Sequence, residues 1–208
     1  FYRDHIKKIL YLRKGSRYVA KANYNVTRIA YLLRLFPDAR FIIPVRHPVA
    51  HVESLIRQHQ RFTAAATGNP RIVSQMRAGG HFEFGPHRAP IHTGDEIRLR
   101  QVLDAWHNGD DATGYALQWS MVYDYVHALS QDPSLAQSIR IVPFETSCEH
   151  PHETLSMVFR HCRLHINDQT LTEKAAKIRS PKYHPGLSDE QLTKIEMICG
   201  QTASYYGY

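Results

Sequence analysis

Apolar and polar residues along this chain recur with two periods, and the switches between them mark out helices and strands. Tyr2, Ile6, Ile9 and Leu10 fall at helical spacing and predict a helix over residues 2–13, with Gly15 as its stop. Arg17-Tyr18-Val19-Ala20-Lys21 reads as a short strand, and Asn25 is placed to cap a second helix with Ile29, Leu32, Leu33 and Phe36 on its apolar face. Pro37-Asp38 turns the chain. Ala39-Arg40-Phe41-Ile42-Ile43-Pro44-Val45 is then nearly continuous in apolar residues, as in a parallel strand covered on both faces. Pro44 has no N–H, so pairing on one side ends there. Pro48 suits the first turn of a helix reaching about residue 59, with Val49, Val52, Leu55 and Ile56 inward.

The same unit returns later. Ile139-Arg140-Ile141-Val142-Pro143-Phe144 predicts a strand, followed by a helix from Pro151 to about Cys162. Residues 95–107 and 112–130 are helical in period. Ser188-Asp189-Glu190-Gln191 is a capping box for a last helix running to Gly207. Residues 61–94 show no period and are rich in Gly, Pro, His and Arg, which predicts a long functional loop. Strands alternating with helices give an α/β fold, a parallel sheet flanked by helices.

Composition narrows this picture. With 208 residues, 43% of them hydrophobic, the chain can bury one substantial core, and a single domain over 1–208 is expected. No apolar run approaches the roughly 20 residues that span a bilayer. Cys148, Cys162 and Cys199 are widely spaced and lack zinc-site spacing, so no metal is expected; free thiols in a reducing, cytoplasmic setting are the expectation. One disulfide in a secretory-pathway lumen is the alternative, if an anchor lies upstream. The net charge of +7 calls for an anionic partner, and its spread along the chain does not say which. A basic nucleic-acid-binding domain needs a basic face with interleaved aromatics or a helix-turn-helix, and neither stands out, so no nucleic acid is expected.

In an α/β sheet, ligands sit beyond the C-terminal ends of the strands. Arg46 stands there on the most apolar strand, and its planar fork of donors suits a phosphate. The helix opened by Pro48 adds free N–H groups and the positive end of its dipole, and Ser54 lies off that helix's apolar stripe. The whole run from Phe36 to Pro48, with Ser54 eight residues after Arg46, closely resembles the 3′-phosphate-binding segment of sulfotransferases. These enzymes use 3′-phosphoadenosine 5′-phosphosulfate (PAPS) to sulfate a hydroxyl group. The resemblance implies a P-loop-nucleotide-fold-like domain in which Arg46 and Ser54 grip the 3′-phosphate. His47 stands where the family usually has Asp, a mild departure because that Asp is not a phosphate ligand.

Further segments are similar to the family's layout, that of tyrosylprotein sulfotransferases and bacterial relatives. Val19-Ala20-Lys21 resembles the strand whose lysine faces the leaving oxygen, which makes Lys21 the implied catalytic cation. Ile141-Val142-Pro143-Phe144-Glu145 resembles a strand ending in Tyr-Glu, with Phe144 keeping the ring that helps hold adenosine. Arg179-Ser180-Pro181-Lys182-Tyr183 resembles the family's terminal loop, which puts Ser180 and Lys182 near the 3′-phosphate. Residues 61–110 would form the acceptor-binding insertion, with His81, Glu83 and His87 as substrate-facing candidates. The acceptor implied bears a hydroxyl, or alternatively an amine: a glycan, lipid, peptide or small molecule. The general base is unassigned, because Asn23 occupies the place of the histidine found two residues after the lysine in cytosolic members. The family's glycine-rich 5′-phosphosulfate loop does not occur in these residues and would precede Phe1, so the chain by itself is expected to be inactive. A non-catalytic sulfotransferase-like protein that binds nucleotide or glycan is the alternative reading.

Overall fold

The computed structural model describes residues 1–69, 71–80, 82–180 and 186–208. The chain divides into two compact units, Phe1–Ala39 and Arg40–Tyr208.

In the first unit, α1 (Tyr2–Arg13) ends on Lys14, whose φ of 50° is left-handed. The predicted stop at Gly15 is thus one residue late. Gly15 supplies the closing bond instead, its N–H donating to the Leu10 carbonyl at 2.9 Å. The Arg3 guanidinium ties α1 to the end of α2 (Ile29–Leu35) through the Leu35 carbonyl, 2.6 Å away. Two expectations fail in this unit. Residues 17–21 are irregular chain outside the sheet, with Val19 84% exposed, so their strand-like composition found no strand to pair with. Asn25 caps nothing; it lies inside a 3₁₀ turn (Asn23–Arg28), and α2 begins after Arg28 without a side-chain cap.

The second unit carries the sheet. Strands β1 (Phe41–Val45) and β2 (Ile139–Pro143) pair in parallel, with Phe41 opposite Ile139 and Val45 opposite Pro143. Each strand runs into a helix: β1 into α3 (Pro48–Gly68), and β2 directly into α7 (Phe144–Glu149) and then α8 (Pro151–His161). The α/β architecture read from the sequence is therefore present, with two parallel strands among the described residues. Between the strands come α4 (Arg71–Gly79), α5 (Glu96–His107) and α6 (Asp111–Gln131); α9 (Asp168–Ala175) and α10 (Asp189–Ser204) follow α8.

Helix α6 is the centre of the core. It packs against α5, α10 and α3 and buries Ala112, Tyr115, Ala116, Trp119, Met121 and Val126. Its Gly114 permits a close crossing, because a Cβ there would sit 2.2 Å from Cδ1 of Trp106 on α5. The capping box of α10 forms in full, Ser188 Oγ accepting from the Gln191 N–H and Gln191 Oε1 from the Ser188 N–H. The helix stops at Ser204, short of Gly207. All three cysteines are free thiols.

The long loop expected over 61–94 is about half helix, as α3 to Gly68 and α4 from Arg71 to Gly79. Helix α3 runs nine residues past the expected end, through Ala64-Ala65-Ala66, and α4 follows almost at once. Three successive alanines carry helix propensity that the surrounding Gly, Pro and His obscured.

Candidate functional site

Where β1 ends and α3 begins, an open cleft of about 360 Å³ is lined by Pro44, Arg46, His51, Ser54, Leu55, Gln58, Phe84, Tyr123 and Phe144. Four of these, His51, Ser54, Leu55 and Gln58, fall at i, i+3, i+4 and i+7 on α3 and share one face of that helix. The neighbouring stripe, Val49 and Val52, is buried at 8% and 0% exposure and supplies the packing that fixes the first face in place. Pro48 occupies N1 of α3, so the first-turn N–H groups, which have no helical acceptor, begin beside the cleft.

Arg46 is half-buried, and its guanidinium carbon lies 5.3 Å from the centre of the Phe144 ring. Its Nε is buried with no hydrogen-bond partner among the described residues. A desolvated donor left open is costly unless something else completes it. Around it the walls are well bonded. Tyr123 donates its hydroxyl to the Pro44 carbonyl at 3.0 Å, and the Tyr208 hydroxyl lies 3.2 Å from the Val45 carbonyl while its proton goes to Glu145. Glu145 accepts from the His47 N–H at 3.1 Å through one oxygen and from the Tyr208 hydroxyl through the other. Burial raises the pKa of both tyrosines, so they stand as neutral phenols. Glu145 has both oxygens engaged and leaves Arg46 unneutralised by a direct pair.

His51 is a second buried polar group in the cleft. Burial, reinforced by the nearby Arg46 charge, lowers its pKa to about 4, with Glu145 pulling weakly the other way. The ring is therefore neutral near pH 7, and its Nδ1 is buried without a hydrogen-bond partner among the described residues. One position beyond Val52, Glu53 turns off the cleft and pairs with Arg57 at 3.1 Å.

Of the residues singled out from sequence, Arg46, Ser54 and Phe144 come together in this cleft. Phe144 opens α7 instead of closing the strand, and its ring lies against the arginine. Ser180 is exposed and outside the cleft lining. Lys21 is exposed, in the irregular chain of the first unit. Glu83 is outside the cleft lining: it is buried at 3% exposure, and its backbone carbonyl accepts the Tyr115 hydroxyl at 2.9 Å. His87 is exposed and also outside the lining. His81 and Lys182 lie outside the described residues. The loop that carries Glu83 contributes Phe84 instead. It is held by the Gly85 N–H donating to His59 Nδ1 at 3.2 Å and by the Phe84 ring stacked on Phe62, 6.0 Å between centres.

Sequence reasoning missed His51, Gln58, Phe84 and Tyr123. The first two carried a signal, since they repeat at helical spacing with Ser54 on a face mixing polar and apolar residues. Tyr123 carried none, because only the crossing of α6 brings it to the end of β1.

The model of the sulfotransferase family matches residues 2–80, a stretch that takes in Arg46, His51 and Ser54 and leaves Tyr123 and Phe144 beyond it. Over those residues, less than half of its length, the chain is similar to the sulfotransferase family. No curated protein and no solved structure matches the chain.

Proposed function

We propose that this chain binds PAPS through the Arg46 cleft and serves transfer of its sulfuryl group to a hydroxyl-bearing acceptor. The observation that carries the reading is the buried, unpartnered Nε of Arg46, in the same cleft as Ser54 and beside the start of α3. A 3′-phosphate placed there would complete the guanidinium's donors, accept from the Ser54 hydroxyl and meet the positive end of the helix dipole. PAPS brings the activated sulfuryl group. What the chain's own residues do is fix the nucleotide, since catalysis of such a transfer rests on positioning and charge. The Phe144 ring holds the guanidinium from one side and leaves the cleft side for the anion.

Titration calorimetry against adenosine 3′,5′-bisphosphate (PAP) and AMP at fixed salt tests this. Charge-assisted hydrogen bonds contribute roughly 1.5–3 kcal/mol each, so two of them give on the order of a hundredfold preference for PAP. Arg46→Ala should erase most of that preference. Arg46→Lys should restore only part, because an ammonium cannot reproduce the planar fork. Equal affinity for PAP and AMP in the wild type would sink the assignment.

A further inference from the structure

The cleft holds two polar atoms in the same condition, Arg46 Nε and His51 Nδ1, both buried and both without a hydrogen-bond partner among the described residues. Core packing does not account for His51. The buried stripe of α3 at that level belongs to Val49 and Val52, while His51 stands with Ser54, Leu55 and Gln58 on the face that lines the cleft. Other buried ring nitrogens without a partner, Nε1 of Trp106 and of Trp119, belong to core side chains, whereas His51 Nδ1 belongs to a ring that lines the cleft. Here an imidazole sits beside a guanidinium, an arrangement that repels once the ring is charged and that only an anion between or beside them relieves.

We propose that His51 is a third ligand of the oxyanion held by Arg46 and Ser54, and that its ring takes a proton from solvent as the anion enters. This rests on reading the cleft as an oxyanion site and not on the identity of the nucleotide that carries the anion.

The groups facing His51 decide the direction. Arg46, at the end of β1, opposes protonation; Glu145, on α7, favours it. Glu145 is already committed to the His47 N–H and the Tyr208 hydroxyl. Tyr123, on α6, has its ring centre 6.3 Å from that of His51, but its proton is donated to the Pro44 carbonyl. No neighbour among these supplies the proton, so it comes from solvent. In the empty cleft, burial and Arg46 hold the pKa of the ring down to about 4. An incoming dianion offsets the Arg46 charge and stabilises the imidazolium, which then donates from both nitrogens. The filled cleft therefore has the higher His51 pKa, and between the two values affinity rises as pH falls, by at most about tenfold per pH unit for one proton. The site would favour dianionic over monoanionic ligands.

The test uses inorganic sulfate, a dianion throughout the range of pH 5–8, so that any titration seen belongs to the protein. Histidine-ring NMR spectra of the wild type are recorded against pH in sulfate and in chloride at matched ionic strength, with His51 assigned by loss of its signal in His51→Gln. The expected result is a His51 pKa raised by about one unit or more in sulfate. His51→Gln should also bind sulfate roughly tenfold more weakly at pH 6, with the pH dependence flattened. Identical titration of every histidine ring in the two salts overturns the proposal, and that readout needs no variant to fold. Calorimetry with PAP and AMP on the same preparations separates the two claims. A sulfate-shifted His51 without a preference for PAP upholds the histidine and sinks the nucleotide reading. A preference for PAP with an unshifted His51 does the reverse.

Discussion

Arg88 and Arg46 both lie against aromatic rings of the second unit, and their surroundings differ in one respect. Arg88 sits 4.5 Å from the centre of Trp106 and 5.5 Å from that of Tyr115, where α5 crosses α6. It donates to Asp111 at 2.7 Å and to the Trp106 carbonyl at 3.4 Å, and its side chain is 12% exposed. Arg46 sits 5.3 Å from the centre of Phe144, and its buried Nε donates to nothing among the described residues. Arg88 also leaves one nitrogen open, Nη1, but its charge is met by a carboxylate. The first arginine closes a circuit within the fold and fastens the loop carrying Phe84. The second is held in shape by its neighbours while its charge is left for something from outside. A buried arginine is thus informative only together with what answers its charge.

The contrast can be broken by mutation, and the largest effect is expected beneath the Arg88 clamp. Gly114→Ala drives a Cβ to 2.2 Å from Cδ1 of Trp106, a ring that cannot rotate away. Over-packing of this kind should cost about 3 kcal/mol, read as a lower urea midpoint. Next comes the cleft, where Arg46→Ala should reduce the PAP-over-AMP preference by about a hundredfold, or ~2.7 kcal/mol. Its urea midpoint should stay level or rise, because an unanswered desolvated charge has been removed. A large loss of stability in Arg46→Ala would put that arginine in the same structural class as Arg88. Arg88→Ala follows, at about 2 kcal/mol of stability; this is below the figure for a fully buried pair because Asp111 keeps some exposure. The same melts would show that a lost ion pair, not ligand binding, is what Arg88 provides.

The smallest effect distinguishes the regions by pH. Each contains a histidine held below its ordinary value: His51 by burial and then Arg46, His59 by burial and then Arg88. The unfolded chain binds a proton near pH 6.5 that the folded chain refuses, so stability is full above that pH and falls as pH drops below it. For His51 the loss continues to about pH 4, at up to about 1.4 kcal/mol per pH unit. Urea midpoints at pH 7, 6 and 5 should therefore decline less steeply in His51→Gln than in the wild type. Equal slopes would show that the His51 ring is not held neutral.

How much of this was legible beforehand follows from how local each signal is. β1 was readable because five successive positions, Phe41 to Val45, are apolar or Pro, and α3 because Pro48 announces its start. The capping box at Ser188 was readable for the same reason, since its two bonds close within four residues. Arg17–Lys21 misled because strand composition needs a neighbouring strand to become a strand, and composition carries no record of one. Residues 61–79 misled in the opposite sense, since Ala64, Ala65 and Ala66 outweigh a nearby Gly and Pro. At the site, Arg46 and Ser54 were found because one strand end and one helix face place both. The burial of Glu83 beside Tyr115 was not legible, because it is a property of the packed loop and not of a polar-aromatic composition.

The parallel pairing of β1 with β2 also has a consequence in time. The two ends of the cleft meet through the His47–Glu145 bond, which joins positions 98 apart in the chain. At roughly 5–20 residues per second on a ribosome, β1 emerges some 5–20 seconds before its partner exists. During that interval Phe41-Ile42-Ile43 is an apolar strand with nothing to pair against, which is the condition that invites association between nascent chains. Pro44 stands in the middle of that hazard, denying one N–H to any passing strand while leaving its carbonyl for Tyr123. Replacing Pro44 with Val would restore that N–H, and the expected first effect is a lower soluble yield, measured by expression of the two forms side by side.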